Sequence, residues 1–112
     1  MAIQNPTLAK HPFLAGMYAD SYFPNDLVDQ GRAILVALCE RIEAKRPADL
    51  AALYVLTHEA TEAFNALNEE FAEVGSEIET AAREIIAEDF GFIADAYGFH
   101  ADIEELIAPR DW

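Results

Sequence analysis

Cysteine is nearly absent from this chain. Cys39 stands alone among 112 residues, so no disulfide can close within it, and a small secreted scaffold held by bridges is excluded. Base is scarce over most of the length. Residues 47–109 hold fifteen acids and only Arg83 as a lysine or arginine. A stretch that anionic repels phosphate, so nucleic acid and an anionic membrane surface are both excluded as its partners. No apolar run approaches the roughly 18 residues of a membrane span. The opening Met-Ala-Ile-Gln-Asn-Pro-Thr lacks the basic start and apolar run of a secretory signal. A soluble cytoplasmic protein is therefore expected. There is no glycine-rich phosphate loop, and no Glu-x-x-His occurs anywhere, which removes the pattern of a carboxylate-bridged di-metal bundle. His58-Glu59-Ala60-Thr61-Glu62 lacks the second histidine of a zinc-protease helix. No metal and no cofactor are expected.

What the chain does have is a lopsided charge. The first 46 residues balance five acids against five bases, and the net charge of −14 arises from the rest. Apolar residues make up 53%, ordinary for a globular protein, and 112 residues suffice for one domain with a real core. We therefore take residues 1–112 as a single helical domain.

Hydrophobic spacing predicts three long helices and a short fourth, with no segment patterned as a strand. The leading segment is punctuated by Pro6, Pro12, Gly16 and Pro24 and rich in Phe13, Leu14, Met17, Tyr18, Tyr22 and Phe23. Residues 12–24 should lie across the helices, while 1–11 are expected to be flexible, residues 1–8 most of all. The first long helix should follow Pro24, with Asn25 as its cap and Pro47 beyond its end. Gly31 falls on its apolar face, where a helical glycine costs about 1 kcal/mol relative to alanine, so a close neighbour is expected there. The second helix should run from about Ala48 to Val74, burying a stripe from Leu50 to Val74; at about 1.5 Å per residue its ends must overhang the core or the chain must bend. A Ser76-x-x-Glu79 capping box marks the start of the third helix, and Gly98 its end. Asp102 should cap a short helix closed by Pro109. These elements predict an all-α fold: an antiparallel bundle of three long helices plus a short C-terminal helix, with the aromatic-rich N-terminal segment packed on it.

Two places could carry function. Glu62, Glu69, Glu70, Glu73, Glu77 and Glu79 gather toward the corner between the second and third long helices, with no base nearby. Such self-repulsion costs a few tenths of a kcal/mol per pair and suits either solubility or a basic protein partner. The second place is Asp89, a carboxylate within the apolar arc of the third helix. Burying it demands a partner. Arg32 and a tyrosine of the leading segment are candidates, and a kink at Gly91 would instead turn it to water. With Tyr18, Tyr22 and His58 it could otherwise form a pocket able to act as acid, base or ligand site. His11 and His100 have no partner in sequence, and Cys39 reads as a small core residue.

The run Met17-Tyr18-Ala19-Asp20-Ser21-Tyr22-Phe23-Pro24, continuing through Leu27-Val28-Asp29-Gln30-Gly31, resembles a small bacterial family of unknown function, as does Leu56-Thr57-His58-Glu59-Ala60-Thr61-Glu62. The resemblance implies a compact bacterial cytoplasmic protein and carries no activity, cofactor or partner with it. The leading expectation is a non-enzymatic, acidic protein-binding module, an antitoxin- or immunity-like inhibitor of a basic partner. The alternative is a small enzyme or ligand binder around Asp89, and an exposed apolar edge would also permit a homodimer.

Overall fold

The computed structural model describes residues 3–112, and no strand occurs among them. Two single-turn helices, α1 (Pro6–Ala9) and α2 (Ala15–Tyr18), precede three long ones, α3 (Asn25–Lys45), α4 (Leu50–Glu73) and α5 (Thr80–Ala96), and a final turn, α6 (Ile103–Leu106). The long helices form the expected antiparallel bundle. α3 packs along α4 most extensively, while α1, α2 and α6 all lie against α5. α4 meets α5 through large side chains, with the rings of Phe64 and Phe90 6.0 Å apart.

α4 begins where Asp49 accepts a hydrogen bond from the Ala52 amide at 2.9 Å, an N-cap that satisfies one of the open donors of the first turn. Its 24 residues span about 36 Å, nearly the full 40 Å long axis of the molecule. Leu53, Leu56, Ala60, Phe64, Leu67 and Phe71 are buried, whereas the two ends of the predicted stripe, Leu50 and Val74, are exposed. The overhanging helix is thus the correct alternative.

α4 and α5 both stop in Schellman motifs around left-handed glycines. At Gly75 (φ +79°) the Ser76 amide bonds Phe71 O at 2.9 Å, and at Gly98 (φ +83°) the Phe99 amide bonds Ala94 O at 2.9 Å. The first of these overturns the predicted capping box. A capping box needs the Ser76 amide free to receive Glu79, but that amide already belongs to α4. Residues 77–79 instead form no regular element, the Ile78 amide bonds Asn68 Oδ1 at 2.8 Å, and α5 starts at Thr80 with Glu79 extended and giving no side-chain cap. Likewise α3 starts at Asn25 itself, with Pro24 in the cap position.

Residues 1 and 2 lie outside the described part of the expected flexible segment 1–11. From residue 4 onward the segment is tied down. Asn5 caps α1 through Thr7 and Leu8 amides at 3.0 and 3.1 Å, and its amide group donates to Ala96 O at 3.0 Å. Glu43 accepts from the amides of Gln4 (2.8 Å) and Asn5 (2.9 Å) and from the Tyr97 hydroxyl (2.5 Å). Leu8, Phe13, Leu14 and Met17 are almost wholly buried. Leu14 explains Gly31: a Cβ there would lie 2.9 Å from Leu14 Cδ1 and 3.2 Å from Phe64 Cε1.

Two outcomes follow from this packing. Gly31→Ala gains helix propensity of about 1 kcal/mol but overpacks a buried contact, which typically costs about 1–3 kcal/mol; urea unfolding should show a net loss of stability, and an unchanged or raised midpoint would refute the close approach. Burial works to raise the Glu43 pKa, yet the Tyr97 hydroxyl and the two amides outweigh it and hold it below the ordinary 4.5. The folded protein therefore binds fewer protons than the unfolded chain between the two values. The resulting stabilisation is complete above about pH 4.5 and is lost as pH falls through the folded value. Glu43→Gln should flatten that part of the acid limb in a stability-versus-pH series.

Candidate functional site

Asp89 is buried, 8% exposed, in keeping with its place in the apolar arc of α5. Its partner is neither Arg32 nor a tyrosine, and Gly91 does not turn it to water. Oδ1 lies 2.8 Å from His11 Nε2, and Oδ2 accepts the backbone amide of Leu14 at 2.8 Å. Leu14 has φ +58°, a left-handed conformation costing a non-glycine residue on the order of 1–2 kcal/mol. The charge-assisted bond from its amide offsets that strain. The imidazole of His11 stacks on Phe92 with ring centroids 4.2 Å apart and meets the edge of Phe13 at 4.8 Å. Phe92, whose ring forms this shelf, is 37% exposed. His11 was not identifiable as a partner because its contact spans 78 positions, and nothing local marks it.

The four residues of the pocket expectation fall in separate places. Asp89 is saturated beneath the N-terminal segment. Tyr18 donates its hydroxyl to Asp29 on α3, and burial followed by the Asp29 bond raises its pKa. Tyr22, 45% exposed, stands at another opening. His58 lies along α4 at 2.7 Å from Glu105 O. It belongs to a row with Thr61 and Asn65, at i, i+3 and i+7, that binds the last residues of the chain. Thr61 Oγ1 donates to Leu106 O at 3.3 Å, Asn65 Nδ2 donates to Pro109 O at 3.0 Å, and Asn65 Oδ1 accepts the Asp111 amide at 3.0 Å. This row seats Leu106, Ile107 and Trp112, all buried.

The six acids of the corner, Glu62, Glu69, Glu70, Glu73, Glu77 and Glu79, are all exposed. None of them is ion-paired among the described residues; the pairs formed are His11–Asp89, Arg41–Glu59 and Arg110–Glu104. Glu77 and Glu79 crowd each other, and a hydrogen bond from Glu77, then its charge, pushes the Glu79 carboxyl above the usual range. Both line a cavity of about 580 Å³ that also holds Asp20, Tyr22, Phe23, Asp111 and Trp112. Arg83 is the one base there. Its Nε and the Trp112 indole Nε1 are buried without a partner among the described residues.

Cys39 is fully buried, and burial, then the charge of Glu43, pushes its thiol up to about 12, so it carries no thiolate at neutral pH. No group of three or more His, Cys, Asp or Glu among the described residues is arranged to hold a metal ion. No helix among them is long and apolar enough to cross a membrane.

Among known protein families, the model of a family of unknown function, DUF5713, matches residues 7–112. Comparison with curated proteins and with solved structures gives no match.

Asp89→Ala would leave the buried Leu14 amide and the His11 ring without their acceptor. A loss of about 2–4 kcal/mol in urea unfolding is expected. Asp89→Asn, which keeps an acceptor for Leu14, should lose less. An alanine variant within about 0.5 kcal/mol of the parent would show that the carboxylate holds nothing.

Proposed function

The chain belongs to this family of unknown function, and we propose that it acts as a non-enzymatic docking module for a basic protein. The contact is centred on Glu62, Glu69, Glu70, Glu73, Glu77 and Glu79, in the manner of an antitoxin or immunity protein of the bacterial cytoplasm. The observation that carries this reading is the crowding of Glu77 and Glu79 at the rim of an aromatic-walled cavity. A carboxylate close enough to Glu79 to raise its proton affinity is also placed to share a cation with it. The cavity behind them holds four acids against Arg83, and Tyr22 offers a half-exposed ring against which a lysine or arginine stem and its charge can lie. Val74, 60% exposed at the same corner, adds an apolar contact. Ion pairs elsewhere on the molecule, such as Arg41–Glu59, satisfy themselves on the surface and contribute little.

The test is an NMR titration of the full chain with a short lysine-rich peptide. Shift changes should concentrate on residues 69–83 and Tyr22, with affinity on the order of 10–100 µM that weakens several-fold between about 0.05 and 0.3 M salt. Glu77→Gln with Glu79→Gln should weaken binding, while Glu105→Gln on α6 should not. Shifts spread evenly over every acid, or a loss no greater for the corner variant than for Glu105→Gln, would defeat the proposal.

A further inference from the structure

The molecule has a second opening whose fixed charges balance, Asp29 against Arg32. A cavity of about 560 Å³ lies between the N-terminal segment and α3, lined by His11, Pro12, Phe13, Tyr18, Asp29 and Arg32 among others. That volume is within the range of small-ligand sites, about 300–1,000 Å³.

Its polar groups are held in unequal states of satisfaction. The His11 ring cannot rotate freely: Asp89 holds Nε2 at 2.8 Å, Phe92 lies flat against one face and Phe13 edges it. Nδ1 is left with no protein partner among the described residues. With Nε2–H directed at the carboxylate, Nδ1 is the nitrogen free to accept a proton or, once protonated, to donate it. Asp29 already receives the Tyr18 hydroxyl, so the one carboxylate lining this opening is partly satisfied from within. Arg32 is exposed and makes no ion pair or hydrogen bond among the described residues, although it lies near enough to Tyr18 to act on it electrostatically. An unengaged guanidinium is conspicuous on a chain with three times as many acids as bases.

We propose that this cavity is a binding site for a small oxyanion, a phosphate or carboxylate group of a metabolite. The Arg32 guanidinium presents its fork of donors to two oxygens. His11 Nδ1 faces the anion as a fixed partner, accepting the proton of a hydrogen-phosphate or donating to a fully ionised oxygen. Phe13 and the Tyr18 ring form the wall along which the rest of the ligand lies. Asp89 is a positioning residue: buried and doubly bonded, it touches no ligand and serves by fixing which imidazole nitrogen faces outward. The proposal is independent of the acidic corner, since the neutral first 46 residues build one opening and the anionic remainder most of the other.

The experiment is an NMR titration of the full chain, observing the His11 side chain and the backbone of residues 11–32. Inorganic phosphate and acetate are the two probes, each against chloride at matched ionic strength. Saturable movement of the His11 ring signals is expected, with a dissociation constant on the order of millimolar for so small a probe. Arg32→Gln, a change at an exposed position that leaves the core untouched, should weaken it about tenfold or more, while Arg41→Gln, on the same helix, should leave it unchanged. Saturation by phosphate alone assigns the site to a phosphorylated ligand. Saturation by acetate, alone or equally, assigns it to a carboxylate. Failure of both probes to saturate, or an Arg32→Gln variant that binds as the parent does, overturns the site.

Discussion

A buried carboxylate cannot be left to itself, and the arrangement of the first 24 residues follows from that constraint. Ionised Asp89 in the body of α5 would be intolerably costly without hydrogen-bond donors. No lysine or arginine is ion-paired with it among the described residues. The N-terminal segment supplies what α5 needs: one backbone amide, from a leucine driven into the left-handed region, and one imidazole. Once Leu14 is held there, its side chain descends onto Gly31 and Phe64, so a polar requirement on one helix sets an apolar contact on another two.

The regular parts of this fold were legible because their signals are local. The periodicities of α3, α4 and α5, the Asp102 cap and the two glycine stops each depend on a few adjacent residues, and each formed. What could not be read was competition and distance. Ser76 and Glu79 have the spacing of a capping box, yet the amide such a box requires is claimed by the end of the preceding helix. Asp89 could be singled out from the wheel of α5, but choosing His11 over Arg32 depends on how the chain folds back across 78 positions. Glu43 was invisible for the same reason: its role is to receive two amides nearly 40 residues away and the hydroxyl of Tyr97.

Charge is divided along the chain, and the two openings follow the division. The cavity beside α3 draws its groups from the first 46 residues, where the balance is neutral, and there Arg32 stands unengaged. The one at the α4–α5 corner is rimmed by unpaired glutamates. On a body 40 Å long, screening over about 8 Å at physiological salt allows a charge-balanced opening and an anionic one to coexist with little mutual influence. A net charge of −14 is therefore a poor description of either place.

α4 shows where a two-sided view of a helix fails. One face meets α3 and the core, and another carries glutamates into water. Between them His58, Thr61 and Asn65 form a polar seam that grips the backbone of residues 105–111. Hydrophilic side chains here act as mortar. The tail they fasten carries few polar side chains that could choose its own register, so the alignment of Trp112 against Phe64 is dictated from α4. The rod at the centre of the bundle serves as the ruler against which the end of the chain is laid.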